Sequence, residues 1–327
     1  MNASCVSGDK VKADFVIANI GQLLTMNPGE GPKRGADASD LGVIKRAFLA
    51  SYQGKITALG TQDLFESMVS LTEDAEIIDA GQKVVAPGFV DAHTHLVFGG
   101  GRYEEYGQRC RGASYLEIAE KGGGIMSTVK QTRRASFDSL VERALGFLDE
   151  MLSLGTTYCE VKSGYGLDLE SELKQLEAIK ECKCLHPVDL QATFLGAHAI
   201  PKEYQQNRAD FINAVIDMLG PVKEKNLAVF ADVFCDAGNF TIEESRLILS
   251  AAKDKGFGLK IHADELENTG ATELACDLGA YSCDHLIKVS DEGINRLAQS
   301  DTVAVLLPAT SCFLGKFPGA PGRKLLD

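Results

Sequence analysis

Pro87-Gly88-Phe89-Val90-Asp91-Ala92-His93-Thr94-His95 is the stretch on which the reading of this chain turns. The short apolar run Val84–Val90 leads into it, so it reads as a strand that delivers two imidazoles at its C-terminal end. Residues i and i+2 of an extended strand point to the same side, so His93 and His95 face one way. Two imidazoles that close together are an efficient start to a zinc or iron site.

The same rhythm recurs downstream. Thr156–Val161 ends in Lys162-Ser163-Gly164-Tyr165-Gly166, Leu190–Leu195 in Gly196-Ala197-His198, and Val229–Phe234 in Cys235-Asp236. Gly258–Ile261 ends in His262-Ala263-Asp264-Glu265, Tyr281–Cys283 in Asp284-His285, and Thr302–Leu307 runs into Pro308. Helical stretches separate them. Across Ser136–Leu154, Phe137, Leu140, Val141, Ala144, Leu148, Met151 and Leu152 recur at helical spacing, and Gly155 follows as a stop. Asp168 is placed to cap a helix carrying Leu169, Leu173, Leu176 and Ile179. Thr241 and Glu244 form a T-x-x-E capping box for a helix that Gly256 closes.

Strand–helix alternation without hairpin signals means a parallel sheet with right-handed crossovers, either an open doubly wound sheet or a (β/α)₈ barrel. The polar residues favour the barrel. His93, His95, Lys162, Tyr165, His198, Asp236, His262, Glu265 and His285 all fall at or just past C-terminal strand ends, which a barrel gathers around one mouth. Upstream, from about Asp14 to Ile78, short alternating segments such as Ala13–Ala18 and Gly54–Gly60 read as strands, with the Asn27–Gly42 loop between them. The expectation is an α/β chain: an N-terminal β-rich, partial β-sandwich segment over residues 1–83 and a TIM-like barrel over 84–327, seven strands long.

Composition narrows the functional class. The chain has 327 residues, 45% of them apolar, with 33 Lys+Arg against 46 Asp+Glu and a net charge of −13. That is a globular composition, and the acidic balance speaks against a nucleic-acid binder. No apolar run approaches the roughly 20 residues of a membrane span, and Met1–Lys12 holds no secretory h-region. Nine scattered cysteines suggest reduced thiols in a cytoplasm rather than a disulfide framework. Cys182-Lys183-Cys184-Leu185-His186 matches no zinc spacing and reads as a helix end running into the Pro187 turn. Gly122-Gly123-Gly124 lacks P-loop spacing and reads as a flexible loop.

Of six histidines in the chain, all but His186 sit at strand ends, and His262 is a plausible third nitrogen beside His93 and His95. These residues resemble the opening of the amidohydrolase superfamily. Leu96-Val97-Phe98-Gly99-Gly100-Gly101-Arg102, Lys121-Gly122-Gly123-Gly124-Ile125, Glu160-Val161-Lys162-Ser163-Gly164-Tyr165-Gly166-Leu167 and Gly196-Ala197-His198 narrow the likeness to its imidazolonepropionase family. The resemblance covers the barrel portion and is loose over the N-terminal segment. It implies hydrolytic ring opening of a small-molecule substrate, 4-imidazolone-5-propanoate, to N-formimidoyl-L-glutamate in histidine degradation. It gives His93, His95 and His262 as ligands of one Zn²⁺ or Fe ion, with Arg102, Tyr165 and His198 holding the substrate. Glu265 would contact the imidazolone ring, and His285 would move a proton or orient the attacking water. A homodimer is also implied.

Chemistry agrees with these roles, since a guanidinium, a phenol and an imidazole can receive a propionate, and a bound ion polarises a ring carbonyl. Lys162 has a second reading, because some amidohydrolases bridge two metals with a carboxylated lysine. At the end of the second strand of the series, a structural ion pair is the better one. The family pattern also has an eighth strand ending in an aspartate ligand, and the sequence stops at Asp327, after a helix-like Lys324-Leu325-Leu326, before any such strand. The expectation is a shortened chain with weak metal affinity and little turnover of its own. Two other functions stay open: a related amidohydrolase or deaminase acting on another small heterocycle, and a non-catalytic scaffold.

Overall fold

The computed structural model describes residues 10–26, 33–113, 117 and 122–327. Cys5, Lys121, residues 27–32 of the expected loop and residues 1–9 of the N-terminal stretch lie outside the described residues. The chain divides into two compact units, Met1–Gly88 with Leu326–Asp327, and Phe89–Leu325.

The first unit is built on β1 (Val11–Leu24), β2 (Val43–Tyr52), β3 (Lys55–Thr61), β4 (Val69–Asp79) and β5 (Val84–Val85). They form one five-stranded sheet in the order β3-β2-β1-β4, with β5 also on β1. The expected partial sandwich is therefore a single sheet among the described residues. Its cause lies in β1, which changes register against β2 between Ile17 and Ile20, at Asn19 with φ 54°. A bulge of this kind bends a strand, so one long strand serves two partners along its length, β4 first and β5 afterwards. Ala13, Val16, Phe48, Ala50, Ala58 and Val69 form one small apolar cluster, and Ile20, Leu23 and Ala47 another.

The expected strand Val84–Val90 is two strands. Val84 and Val85 pair with Gln22 and Leu23, whereas Phe89 starts β6 (Phe89–Thr94) and pairs with Thr156. Pro87 stands between them without an amide donor and ends the first ladder.

The second unit is a seven-stranded, all-parallel sheet: β6, β7 (Thr156–Lys162), β8 (Asp189–Ala197), β9 (Phe230–Cys235), β10 (Gly258–Ala263), β11 (Ser282–His285) and β12 (Val303–Val305). Strand order follows chain order from β6 to β12, giving a nearly closed barrel. Helices fill the crossovers for the reasons legible in the sequence. Ser136 caps Phe137–Ser153 by accepting from the Ser139 amide, and Leu140, Val141, Ala144 and Leu148 are buried. Asp168 accepts from the Ser171 amide at 2.7 Å and starts Leu169–Leu185, burying Leu176 and Ile179. Thr241 and Glu244 make the reciprocal capping box of Ile242–Asp254. Leu152 and Leu169, at the ends of their apolar stripes, are exposed. Helix Leu169–Leu185 ends at His186, with Cys182 buried and Cys184 exposed, so these two thiols do not converge. All eight described cysteines are free thiols. Among the described residues, no helix is long and apolar enough to cross a membrane.

Candidate metal centre and active site

His93 lies in β6 with His95 immediately beyond it, His198 follows β8, His262 lies in β10, and His285 ends β11. Parallel strands in sequence order carry these five rings to one end of the sheet, where they form a continuous cluster. His95 stacks on His198 at 4.7 Å between centroids, and His93 lies 4.6 Å from His262 and 5.1 Å from His285.

Nε2 of His95 lies 3.2 Å from Nε2 of His93 and 3.4 Å from Nε2 of His262. Two imidazole nitrogens on one tetrahedral ion, each at about 2.0–2.1 Å, stand about 3.3 Å apart. The residues therefore fit a shared cation. Two sets of three donors, each within 4.8 Å, overlap on His262: His93 with His262 and His285, and His95 with His198 and His262. The expected ligands His93, His95 and His262 draw on both sets and do not themselves make up either one; His95 is the ring at ligand spacing from the other two.

Burial holds His93 and His95 well below the ordinary imidazole range and pushes His198 and His285 down to about 3. All four rings are neutral at pH 7, the form in which imidazole binds a metal. His285 is 5% exposed, and neither of its ring nitrogens meets a hydrogen-bond partner; Nδ1 of His95 is likewise unmatched. Buried polar atoms are nearly always satisfied, so unmatched imidazole nitrogens in one cluster mark a place built for something other than packing.

Three of the five rings are aimed by a neighbour. Nδ1 of His93 lies 2.6 Å from Oδ2 of Asp284, and Nδ1 of His198 pairs with the Gly164 carbonyl at 2.9 Å. Oδ2 of Asp232 comes within 3.0 Å of His262 Nδ1, an electrostatic contact whose angle falls short of a hydrogen bond. Sequence reasoning missed Asp232 and the part played by Asp284. Their signal is a lone acid inside a strand that is otherwise apolar, as in Phe230-Ala231-Asp232-Val233-Phe234, where a buried charge requires a partner.

Loops bearing the remaining residues are pinned from below by buried acids. The Glu172 carboxylate accepts from the amides of Gly164 at 3.1 Å, Gly166 at 2.8 Å and Leu167 at 2.9 Å, while Gln175 accepts from Tyr165. Asp236 accepts from the amides of Glu265 at 2.7 Å, Leu266 at 2.8 Å and Glu267 at 3.1 Å, which sets Glu265 in place. Glu265 is buried, its Oε1 lies 3.5 Å from His285 Nδ1, and burial pushes its carboxyl up to about 7. Arg102 and Tyr165, with Phe98, Thr128 and Phe313, line a cavity of about 190 Å³. Tyr165 also packs 5.5 Å from His95 and 5.3 Å from His198, so it links that cavity to the histidine cluster. His186, the remaining histidine, caps a helix away from these residues and contacts Asp149 at 3.3 Å.

No protein-family model matches the chain. Over 314 residues it is 50% identical to an imidazolonepropionase of Bacillus velezensis and 49% identical to one of Bacillus cereus, in each case spanning 96% of this chain and 73% of the relative. The chain belongs to the imidazolonepropionase family. Its fold is shared with an atrazine chlorohydrolase of Arthrobacter aurescens complexed with zinc and atraton (TM-score 0.69, 17% identity, 96% of this chain and 69% of that one). A 5-methylcytosine deaminase of Klebsiella pneumoniae has the same architecture (TM-score 0.62, 16% identity, 95% and 70%). At 16–17% identity these two likenesses show the fold.

Proposed function

We propose that this chain hydrolyses the ring of 4-imidazolone-5-propanoate to N-formimidoyl-L-glutamate, with His93, His95 and His262 holding one Zn²⁺ or Fe ion. The observation that carries this reading is the pair of Nε2 separations, 3.2 and 3.4 Å, in a chain about half identical to imidazolonepropionases. When bound, the ion supplies a concentrated positive charge that favours ionisation of water and polarises the ring carbonyl.

The chain's own residues do the rest. Arg102 brings a guanidinium to the cavity it shares with Tyr165, where it receives the propionate through charge-assisted hydrogen bonds. Tyr165 and His198 border the ring. Glu265, titrating near neutrality because it is buried, accepts from a ring N–H as carboxylate or donates as acid. His285, neutral and unmatched 3.5 Å from Glu265, takes a proton from the attacking water and returns one to the departing nitrogen. The family resemblance supports a homodimer in the cytoplasm as part of the same reading.

Loss of the imidazolone absorbance on adding metal-loaded protein is the expected result, in place of the weak metal affinity and little turnover expected from the sequence. Persistence of that chromophore with a full complement of metal bound would remove the substrate assignment. Metal content below one ion per chain in the native protein, measured by elemental analysis after metal loading, would remove the ligand assignment.

A further inference from the structure

Lys162 is the largest charged side chain in the molecule with no exposure at all among the described residues. Its Nζ lies 2.9 Å from Oε1 of Glu160, 2.8 Å from Oδ2 of Asp232 and 3.2 Å from Oδ2 of Asp284. An ammonium has three N–H donors, and here it has three carboxylate partners. Carboxylation of the nitrogen would set a new anion against three existing ones, so the surrounding fits the structural ion pair preferred from the sequence and not the bridging-lysine role.

The two aspartate oxygens that reach Lys162 are also the ones that reach the metal-site imidazoles. Oδ2 of Asp284 lies 2.6 Å from His93 Nδ1, and Oδ2 of Asp232 lies 3.0 Å from His262 Nδ1. Each carboxylate is pinned again at its other oxygen by its own part of the sheet. Ser282 donates to Asp284 Oδ1 at 2.7 Å, and the His262 amide donates to Asp232 Oδ1 at 3.2 Å. Glu160, the third partner, is held by Lys260 at 2.8 Å and by the Thr193 hydroxyl. The ammonium is thus the shared anchor of two separate strand–carboxylate–imidazole chains, one ending on β6 and the other on β10.

We propose that Lys162 is a positioning residue of the metal centre, fixing Asp284 and Asp232 so that His93 and His262 present Nε2 to a common ion. The proposal rests on the ligand assignment made above. A contrary effect competes with it, since a positive charge near a divalent cation opposes binding. If charge balance were the whole role of Lys162, its removal would leave metal affinity unchanged or raise it; a positioning role requires that affinity fall.

The test is the Zn²⁺ dissociation constant of the purified chain, by competition with a chromogenic chelator, together with the visible absorption of the Co²⁺-loaded protein. Lys162→Met strands three buried acids, so a charge-neutral double variant, Glu160→Gln with Lys162→Met, is made beside it. Lys174→Met is the control for destabilisation alone, because Lys174 donates only to the carbonyls of Thr132, Arg133 and Ala135. Expected are a roughly 10- to 100-fold weaker Zn²⁺ affinity and an altered Co²⁺ spectrum in both Lys162 variants, with the control at the native value. Native affinity or tighter binding in either folded Lys162 variant overturns the proposal. So does loss of folding in both while Lys174→Met folds, which would assign Lys162 to the fold alone. Failure of the native chain to bind Zn²⁺ would instead overturn the ligand assignment.

Discussion

The carbonyl of Gly164 meets Nδ1 of His198 at 2.9 Å, and Gly164 holds φ at +107° to bring it there. A neutral imidazole bonded at Nδ1 to a carbonyl carries its proton on that nitrogen, which leaves Nε2 free as an acceptor toward the cluster. A β-carbon at position 164 would stand 2.9 Å from His198 Nδ1 and 2.9 Å from the Leu195 carbonyl oxygen. Neither contact is tolerable, and the backbone angle itself suits only glycine. Gly164→Ala is therefore expected to lower stability by about 1–3 kcal/mol. It should also weaken binding of a propionate-bearing imidazole ligand, because His198 has to swing away. Denaturant midpoints and ligand titrations together check this; native values in both would separate Gly164 from the site.

Arg102 is expected to set affinity for the carboxylate of the substrate. Removing one charge-assisted contact costs about 1.5–3 kcal/mol, so Arg102→Ala should weaken binding of the propionate-bearing ligand roughly 10- to 100-fold. The descarboxy analogue should bind native and variant protein equally. Calorimetric titration of both ligands decides, and an equal loss for the two would place Arg102 elsewhere.

Removal of metal should abolish ring opening, and Zn²⁺ or Fe²⁺ should restore it. His262→Ala, which deletes the donor common to both groups of histidines, should drop bound metal well below one equivalent. Elemental analysis after gel filtration gives the answer directly. Retention of a full equivalent by the variant would mean that the cation is held elsewhere.

Acid should destabilise the metal-free chain earlier than surface carboxylates alone would. His198 and His285 have folded-state values near 3, pushed down by burial, against about 6.5 when unfolded. Between those values the unfolded chain binds the protons, so their contribution is complete above about pH 6.5 and falls as pH drops toward 3. Each ring then costs about 1.4 kcal/mol per pH unit. Denaturant midpoints of metal-free protein should decline from pH 7 to pH 5, and less steeply in His285→Gln. A flat profile over that interval would show that these rings are protonated in the folded state.

Much of this was legible because strand ends are conspicuous. A short apolar run followed by histidine is easy to see, and Asp168, Thr241 and Glu244 announce their helices by residue type alone. What stayed hidden was the layer behind the histidines. Asp232 and Glu160 sit inside strands, where a lone acid signals a buried charge without naming its partner, and only three-dimensional proximity reveals that both reach the same ammonium. Pro87 was visible in the sequence, but its consequence, two strands in different sheets where one was expected, depends on which ladder each valine joins. The bulge near Asn19 left only a slight mark in residue type, an asparagine that tolerates positive φ inside a strand-like run.

His95 and His262 lie 167 positions apart along the polypeptide yet place their Nε2 atoms 3.4 Å from each other. A pair so remote in sequence meets only after the intervening strands have found their neighbours, and long-range contacts of this kind form slowly. On the proposed ligand set, cation capture would therefore follow the winding of the strands between these two residues, and its rate would report how fast that winding finishes.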